Sequence, residues 1–379
     1  MNAPVERLEA ASCDFDRRVY GILGLPFDKV TLQEAVARGR AAIERRQSFF
    51  VATPNANNIV ECLQDADFRQ TVLSSNLSIP DGISVILFAR LYGVPFRQRA
   101  SGACFFDELV NLSNPRTKPV TVFFFGGKPG IAELASDKLN TGAHDTICRG
   151  TIYPGFDSVA AMSQEAYLQT INQSQADFLV LALSSKKGYA WIQHNRPRLQ
   201  TPLLAQLGAV INFVAGNVRR APATLQDMGL EWLWRIYQEP YLWKRYARDG
   251  LALLRLLLCN GLPYWIWRNT RAYRLRESKP LRVLLEANNA ETKLMLAGSA
   301  TGENLDPLRL ALKQLQWQDG ITLILDIGGI DAADSAFIGL CMLAHGEAVK
   351  FGGRLRLLHP TPRVRNILRW HCANFLTET

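Results

Sequence analysis

Two short apolar runs each stop at a cluster of small polar residues able to position a reacting group. The first, Ser48 to Ala52, runs into Thr53-Pro54-Asn55-Ala56-Asn57-Asn58; the second, Leu77-Ser78-Ile79, runs into Pro80-Asp81-Gly82. Proline and glycine put Asp81 on a tight turn, which aims its carboxylate outward instead of burying it. A carboxylate held that way can take a proton from a hydroxyl. At the carboxyl ends of strands in an open α/β sheet, such clusters border the ligand crevice. Taken as residues alone, they fit a pair of ordinary turns equally well.

The elements that must carry them follow from periodicity. Residues 19 to 30 read as a strand and turn, and Thr31 with Glu34 three residues on forms a capping box for a helix over 31–44. A strand at 48–52 leads to the Thr53 loop, a helix is expected over 57–74, and another over about 83–92. The run Val120 to Phe125 is apolar throughout, the mark of a strand buried on both faces. It ends at Gly126-Gly127-Lys128-Pro129-Gly130 before a helix from about Ile131. A glycine turn followed by a helix amino terminus is a place for a diphosphate, although the spacing is neither a P-loop nor the dinucleotide fingerprint. Gly150 to Gly155 reads as a loop. Asp177 to Leu183 is a further strand, followed by Ser184-Ser185-Lys186-Lys187-Gly188-Tyr189 and a helix beginning at Trp191-Ile192. One more strand and loop cover 203–216.

The ordered set of motifs resembles the WecG/TagA/CpsF glycosyltransferases over about residues 19–250. Asp81 lies 28 residues after Thr53, and Arg99 of Arg99-x-x-Gly102 lies 18 after Asp81. Later come Arg220-Ala221-Pro222, Gly229-Leu230-Glu231-Trp232, and Glu239-Pro240 followed by Arg245-Tyr246. The resemblance implies an α/β fold, a Rossmann-like parallel sheet, and inverting transfer of a sugar from a UDP-sugar donor to a polyprenyl (undecaprenyl) diphosphate-linked acceptor in cell-surface polysaccharide synthesis. The donor would be of the N-acetylmannosamine type or a related hexose. Asp81 is then the general base, Thr53 and Asn55 orient donor or acceptor, and Arg99 neutralises the leaving UDP. Asn57, Gly82, Gly126, Gly127 and Lys187 belong to the substrate-binding set, and Arg220, Arg235 and Arg245 hold the lipid diphosphate, a task suited to the bidentate guanidinium fork. No cofactor is implied. Because no Asp-x-Asp motif ends a strand, the reaction is expected to be metal-independent.

The sequence departs from that pattern. Where the family usually has Gly-x-Pro-Lys-Gln-Glu-x-Trp-Ile, Lys187, Trp191 and Ile192 keep their places, but Gly188 and Tyr189 stand for Gln and Glu. Asn212 stands where Asp is common. A glutamine at 188 could donate to the nucleotide sugar; glycine cannot. The alternative reading is therefore a catalytically altered protein that binds UDP-sugar or lipid and has a regulatory role.

Residues 281–379 form a further unit, expected to be a separate module. Strands at 283–285, 292–297, 321–327 and 355–358, helices at 306–315 and 363–370, and Asp334-Ser335 opening a helix resemble STAS domains. That resemblance implies a protein partner and makes Ser335 a candidate phosphorylation site; a plain helix cap is the other reading. Residues 1–18 read as a tail, and 249–280 as an apolar-basic linker. There, Leu251 to Trp267 precede Arg268, Arg271, Arg274, Arg276 and Lys279, a pattern suited to an anionic membrane surface. Arg255 and the break at Gly261-x-Pro263 argue against a span of the ~20 apolar residues a bilayer needs.

Composition sets the outer bounds. At 379 residues, 48% apolar and 20% charged, the chain is globular with two or three domains. A net charge of +9 favours anionic partners, but no nucleic-acid motif appears. The seven scattered cysteines lack metal-ligand spacing and read as reduced thiols, and Met1 to Arg18 has no apolar core of a signal peptide. A cytoplasmic protein, peripheral on the inner face of the cell membrane, is expected.

Overall fold

The computed structural model describes residues 13–96, 101–110, 118–142, 147–270, 279–288 and 291–377. It opens with an antiparallel hairpin, β1 (Val19–Ile22) and β2 (Leu25–Asp28). Six strands follow in one sheet: β3 (Phe49–Ala52), β4 (Leu77–Ser78), β5 (Thr121–Gly126), β6 (Ile147–Ile152), β7 (Phe178–Ala182) and β8 (Leu203–Gln206). Their order is β4-β3-β8-β7-β5-β6, and every neighbouring pair is parallel. Strands β5 and β7 are buried along their whole length, as apolar runs covered on both faces require. The chain leaves β3 toward one edge of the sheet and β5 toward the other. The loops after the central strands therefore open a crevice at the carboxyl ends.

Helix Leu32–Glu44 carries the expected capping box, with Glu34 N–H bound by the Thr31 hydroxyl and Thr31 N–H by the Glu34 carboxylate. The helix expected over 57–74 is two, Ala56–Gln64 and Ala66–Leu73. Asp65 leaves helical geometry between them and accepts from Phe68 N–H, so a residue that prefers to cap breaks a pattern that periodicity alone joins. The expected loop at Gly150–Gly155 begins as β6, a half-exposed edge strand. Its glycine is required because the Phe123 ring stands 2.6 Å from where a Cβ would be. The helix after β7 starts at Ser185, six residues before Trp191.

The C-terminal unit is a mixed sheet in the order β12-β11-β10-β9, from β9 (Arg282–Asn288), β10 (Glu291–Ala300), β11 (Thr322–Ala333) and β12 (Arg354–Leu358). Only the β9–β10 pair is antiparallel. Strand β11 runs six residues past the expected end, to Ala333. This unit does not stand apart. Helix Ser335–Lys350 is buried from Ser335 through Ala344 and lies on β1 so closely that a Cβ on Gly339 would stand 2.5 Å from the Val19 carbonyl oxygen. One continuous apolar core therefore joins Val19, Ile22 and Phe27 to Leu340, Leu343 and Leu357. The hairpin mediates the join. Asp28 is fully buried and takes the Arg17 guanidinium at 2.9 and 2.6 Å, and also accepts Ser78 N–H at the end of β4.

Between the two sheets, residues Pro240–Asn269 form one unbroken 30-residue helical rod. The break expected at Gly261-x-Pro263 is absent. A π-turn at Leu257–Gly261 widens the helix just before Pro263, accommodating a residue without an N–H. By length and composition this rod could cross a membrane, and its apolar window is 11% buried. One face is nonetheless committed to the protein: Tyr264 is fully buried and stacks on Tyr92 with ring centroids 5.1 Å apart.

Candidate active site

The crevice is built from the ends of β3, β4, β7 and β8. After β3, Thr53 is buried and Asn55 is exposed, and the Asn55 side-chain oxygen accepts Asn58 N–H while Asn58 returns the bond to Asn55 N–H. Asn55 thus starts the helix Ala56–Gln64, using its oxygen for the cap. After β4, Asp81 is half-buried, and its N–H donates to the Pro54 carbonyl at 3.0 Å. This bond ties the two polar clusters together across adjacent strands. Gly82 follows at φ +100° with open space above it, a geometry that favours glycine for its backbone rather than for lack of room.

Helix Gly102–Val110 closes the next side. A Cβ on Gly102 would stand 2.6 Å from a Leu207 methyl and 3.2 Å from the Thr53 hydroxyl, so this helix starts against the floor of the crevice. Arg99, three residues earlier, lies outside the described residues. Two of the three positions that depart from the family pattern, Gly188 and Tyr189, are packed into the fold here. Tyr189 is buried, with edge-to-face contacts to Phe50 and Phe68, and its hydroxyl accepts Thr53 N–H at 3.0 Å. Burial pushes the phenol upward in pKa, and the charge of Asp81 adds to that, so it stays a neutral phenol beside the acid. Gly188 faces Gln206, the last residue of β8.

Other candidates are engaged elsewhere. Gly127 N–H donates to Ala182 O at 2.8 Å, which commits it to the neighbouring strand end rather than to a phosphate. Gly126 stands at φ +108°, and a Cβ there would meet Ala182 O at 2.9 Å. The Lys187 ammonium donates to the carbonyls of Phe156 and Asp157 and so holds the loop after β6. Asn57 donates to Asp249, a buried acid on the long rod, at 3.2 Å. Arg220 pairs with Asp107 and reaches Cys104 Sγ at 2.9 Å, Arg235 pairs with Glu239 at 3.3 Å, and Arg245 lies over the Tyr246 ring.

The segment after Pro222 returns to the crevice twice: Gly229 packs on Ile83, in the first turn after Gly82, and Asp249 binds Asn57. Neither contact was foreseen. The aspartate carries no motif around it, and the glycine only marks its place in a run of signature residues. Ser335 lies against Tyr92, at the far end of the helix Ile83–Leu91 that begins after Gly82. It is 3% exposed, and its oxygen sits 3.1 Å from Tyr92 O and 3.0 Å from His371 Nε2. Asp334 caps the helix by accepting Ala336 and Phe337 N–H.

A six-stranded parallel sheet flanked by helices, with a turn-held acid tied to a Thr-Pro-Asn loop at its carboxyl ends, is of the Rossmann-like class. The chain belongs to the glycosyl transferase WecG/TagA/CpsF family, whose model matches residues 20–265, and is a glycosyltransferase. It is similar to a protein of Bacillus subtilis (strain 168) named N-acetylglucosaminyldiphosphoundecaprenol N-acetyl-beta-D-mannosaminyltransferase, with 24% identity over 208 residues, 54% of this chain and 77% of that one. A protein of the same name from Bacillus spizizenii (strain ATCC 23059 / NRRL B-14472 / W23) is 24% identical over 203 residues, 54% of this chain and 76% of its own.

Proposed function

We propose that this protein transfers an N-acetylmannosamine-type hexose, with inversion, from a UDP-sugar to a saccharide carried on undecaprenyl diphosphate. The observation that carries the reading is the Asp81–Pro54 bond, which holds the turn-mounted acid against the Thr53-Pro54-Asn55 loop at the mouth of the crevice. The two Bacillus relatives supply the substrate class, since their names describe N-acetylmannosaminyl transfer to N-acetylglucosaminyldiphosphoundecaprenol.

In this reading Asp81 takes the proton of the acceptor hydroxyl as that oxygen bonds to the anomeric carbon. The bond from carbon to the UDP oxygen breaks, and the electron pair leaves with UDP. Thr53 and the Asn55 amide orient the sugars, and Arg99 balances the charge that develops on UDP, a task metals perform elsewhere. Arg220, Arg235 and Arg245 would exchange their present partners for the lipid diphosphate. Trp232, Leu233, Tyr237, Trp243, Leu251 and Leu258 are exposed along the segment that carries those arginines, which suits a face resting on an anionic membrane from the cytoplasmic side. The C-terminal unit is read as STAS-like from its strand order and the Asp334-Ser335 cap, with a protein as its partner.

The test is a transfer assay with a panel of UDP-sugars, a short-chain prenyl-diphosphate N-acetylglucosamine acceptor, and EDTA. Turnover that survives chelation supports the reading. UDP binding without turnover of any donor would sink it in favour of the regulatory alternative.

A further inference from the structure

We infer that Gln206 supplies, from the end of β8, the carboxamide that binds the donor sugar, in place of a side chain at position 188. This rests on the transfer reading above. Gly188 is buried in the first turn of helix Ser185–Asn195, and a Cβ built on it would stand 1.9 Å from Gln206 Oε1, 2.3 Å from Cδ and 3.0 Å from Cγ. Any side chain at 188 would have to leave through the volume that the Gln206 carboxamide now fills. A side chain at 188 would therefore displace the Gln206 carboxamide from its present place.

Gln206 Nε2 donates to Leu183 O at 2.6 Å, which shows which end of the amide is nitrogen. The residue is 7% exposed, and its Oε1 is buried with no hydrogen-bond partner among the described residues. A buried acceptor left open weakens the fold unless something fills it. Strand β8 lies between β3 and β7, and the next residue, Leu207, shares the crevice floor with Thr53 and Gly102. Tyr189, beside Gly188, holds Thr53 N–H. The unpaired oxygen lies at the carboxyl end of β8, next to the strand that leads to Thr53, and on donor binding, turned away from Gly188, it accepts from a hydroxyl or acetamido N–H of a UDP-hexose.

Three variants of the full chain test this: Gln206→Gly, Gly188→Gln, and the two together. Gln206→Gly is expected to raise the donor KM about tenfold, the worth of one hydrogen bond to substrate, and to leave the acceptor KM unchanged. Gly188→Gln alone lowers Tm through overlap with Gln206. The double variant recovers Tm and brings the donor KM back toward that of the unmodified protein. An unchanged donor KM in Gln206→Gly overturns the inference while leaving the transfer reading intact, as does a double variant no better than either single one. Should the unmodified protein turn over no donor, calorimetric titration with UDP-N-acetylglucosamine decides. Weaker binding by Gln206→Gly that the double variant restores supports the inference; equal binding by both, or none by the unmodified protein, overturns it.

Discussion

The chain uses one local device twice, with opposite outcomes. At Asn55 and at Asp334-Ser335, a strand ends and an Asx residue caps the next helix by accepting its first N–H groups. The first start is open: Asn55 is exposed, and Asp81 from the neighbouring strand is tied in beside it. The second is sealed. Tyr92, His371 and Tyr264 cover Ser335, with Tyr92 and Tyr264 ring centroids each 4.6 Å from the imidazole. Capping chemistry is thus no guide to function. What separates the two is whether another part of the chain occupies the space above the helix start, and that depends on contacts hundreds of residues apart in sequence.

The largest effect that sharpens this contrast is expected from Asp81→Asn. Removing the base at the open end should lower turnover about a thousandfold with little change in Tm, whereas Ser335→Ala at the sealed end should leave turnover unchanged. Equal losses in both variants, measured in the same transfer assay, would erase the distinction.

Next in size is the seal itself. Gly339→Val drives a side chain into the Val19 carbonyl, where backbone cannot yield as a flexible side chain would. A loss of about 3 kcal/mol or more in chemical denaturation is expected. Both sheets should melt together, because they share one core. Two separate transitions would mean that the C-terminal unit is a detachable module after all.

The join between the two sheets marks where the sequence stopped being legible. The parallel strands, the Thr31 box and the turns that follow β3 and β4 could all be read, because each rests on local pattern: continuous apolar runs, cap spacing, turn residues. The shared core could not, since Gly21 and Gly339 look like ordinary glycines until β1 and the Ser335 helix are laid together. Long-range pairing likewise hid Asp249, the partner of Asn57, and Gln206, the neighbour of Gly188. The Gly261-x-Pro263 break was misread for a different reason: a π-turn relieves proline locally, and no residue pattern announces it.

A smaller effect should follow pH. Burial holds His371 down to about 3 and His345 down to about 4, against an ordinary 6.5. Both are neutral when folded and take protons when unfolded, so their contribution is complete above 6.5 and is lost as pH falls below it. The slope approaches about 1.4 kcal/mol per pH unit for each imidazole. Asp334, raised by its own burial, works in the opposite sense. Comparing Tm between pH 7.5 and 5 for the unmodified protein and for His371→Gln isolates the seal's share: the variant's curve should be the flatter. Parallel curves would show that the buried imidazole of the sealed start does not govern acid lability.

The smallest effect separates capping from binding at the open start. Asn55→Ala removes the oxygen that accepts Asn58 N–H and should cost about 1 kcal/mol of stability. Asn55→Asp keeps an oxygen at that place and adds a charge the helix amino terminus favours, so Tm should hold or rise slightly. It also deletes the side-chain amide, the part of Asn55 that the cap does not use. If that amide orients the donor, Asn55→Asp retains stability yet raises the donor KM severalfold, while the acceptor KM stays put. If Asn55→Asp matches the unmodified protein in both respects, Asn55 is a cap and nothing more, and the open start differs from the sealed one only through Asp81.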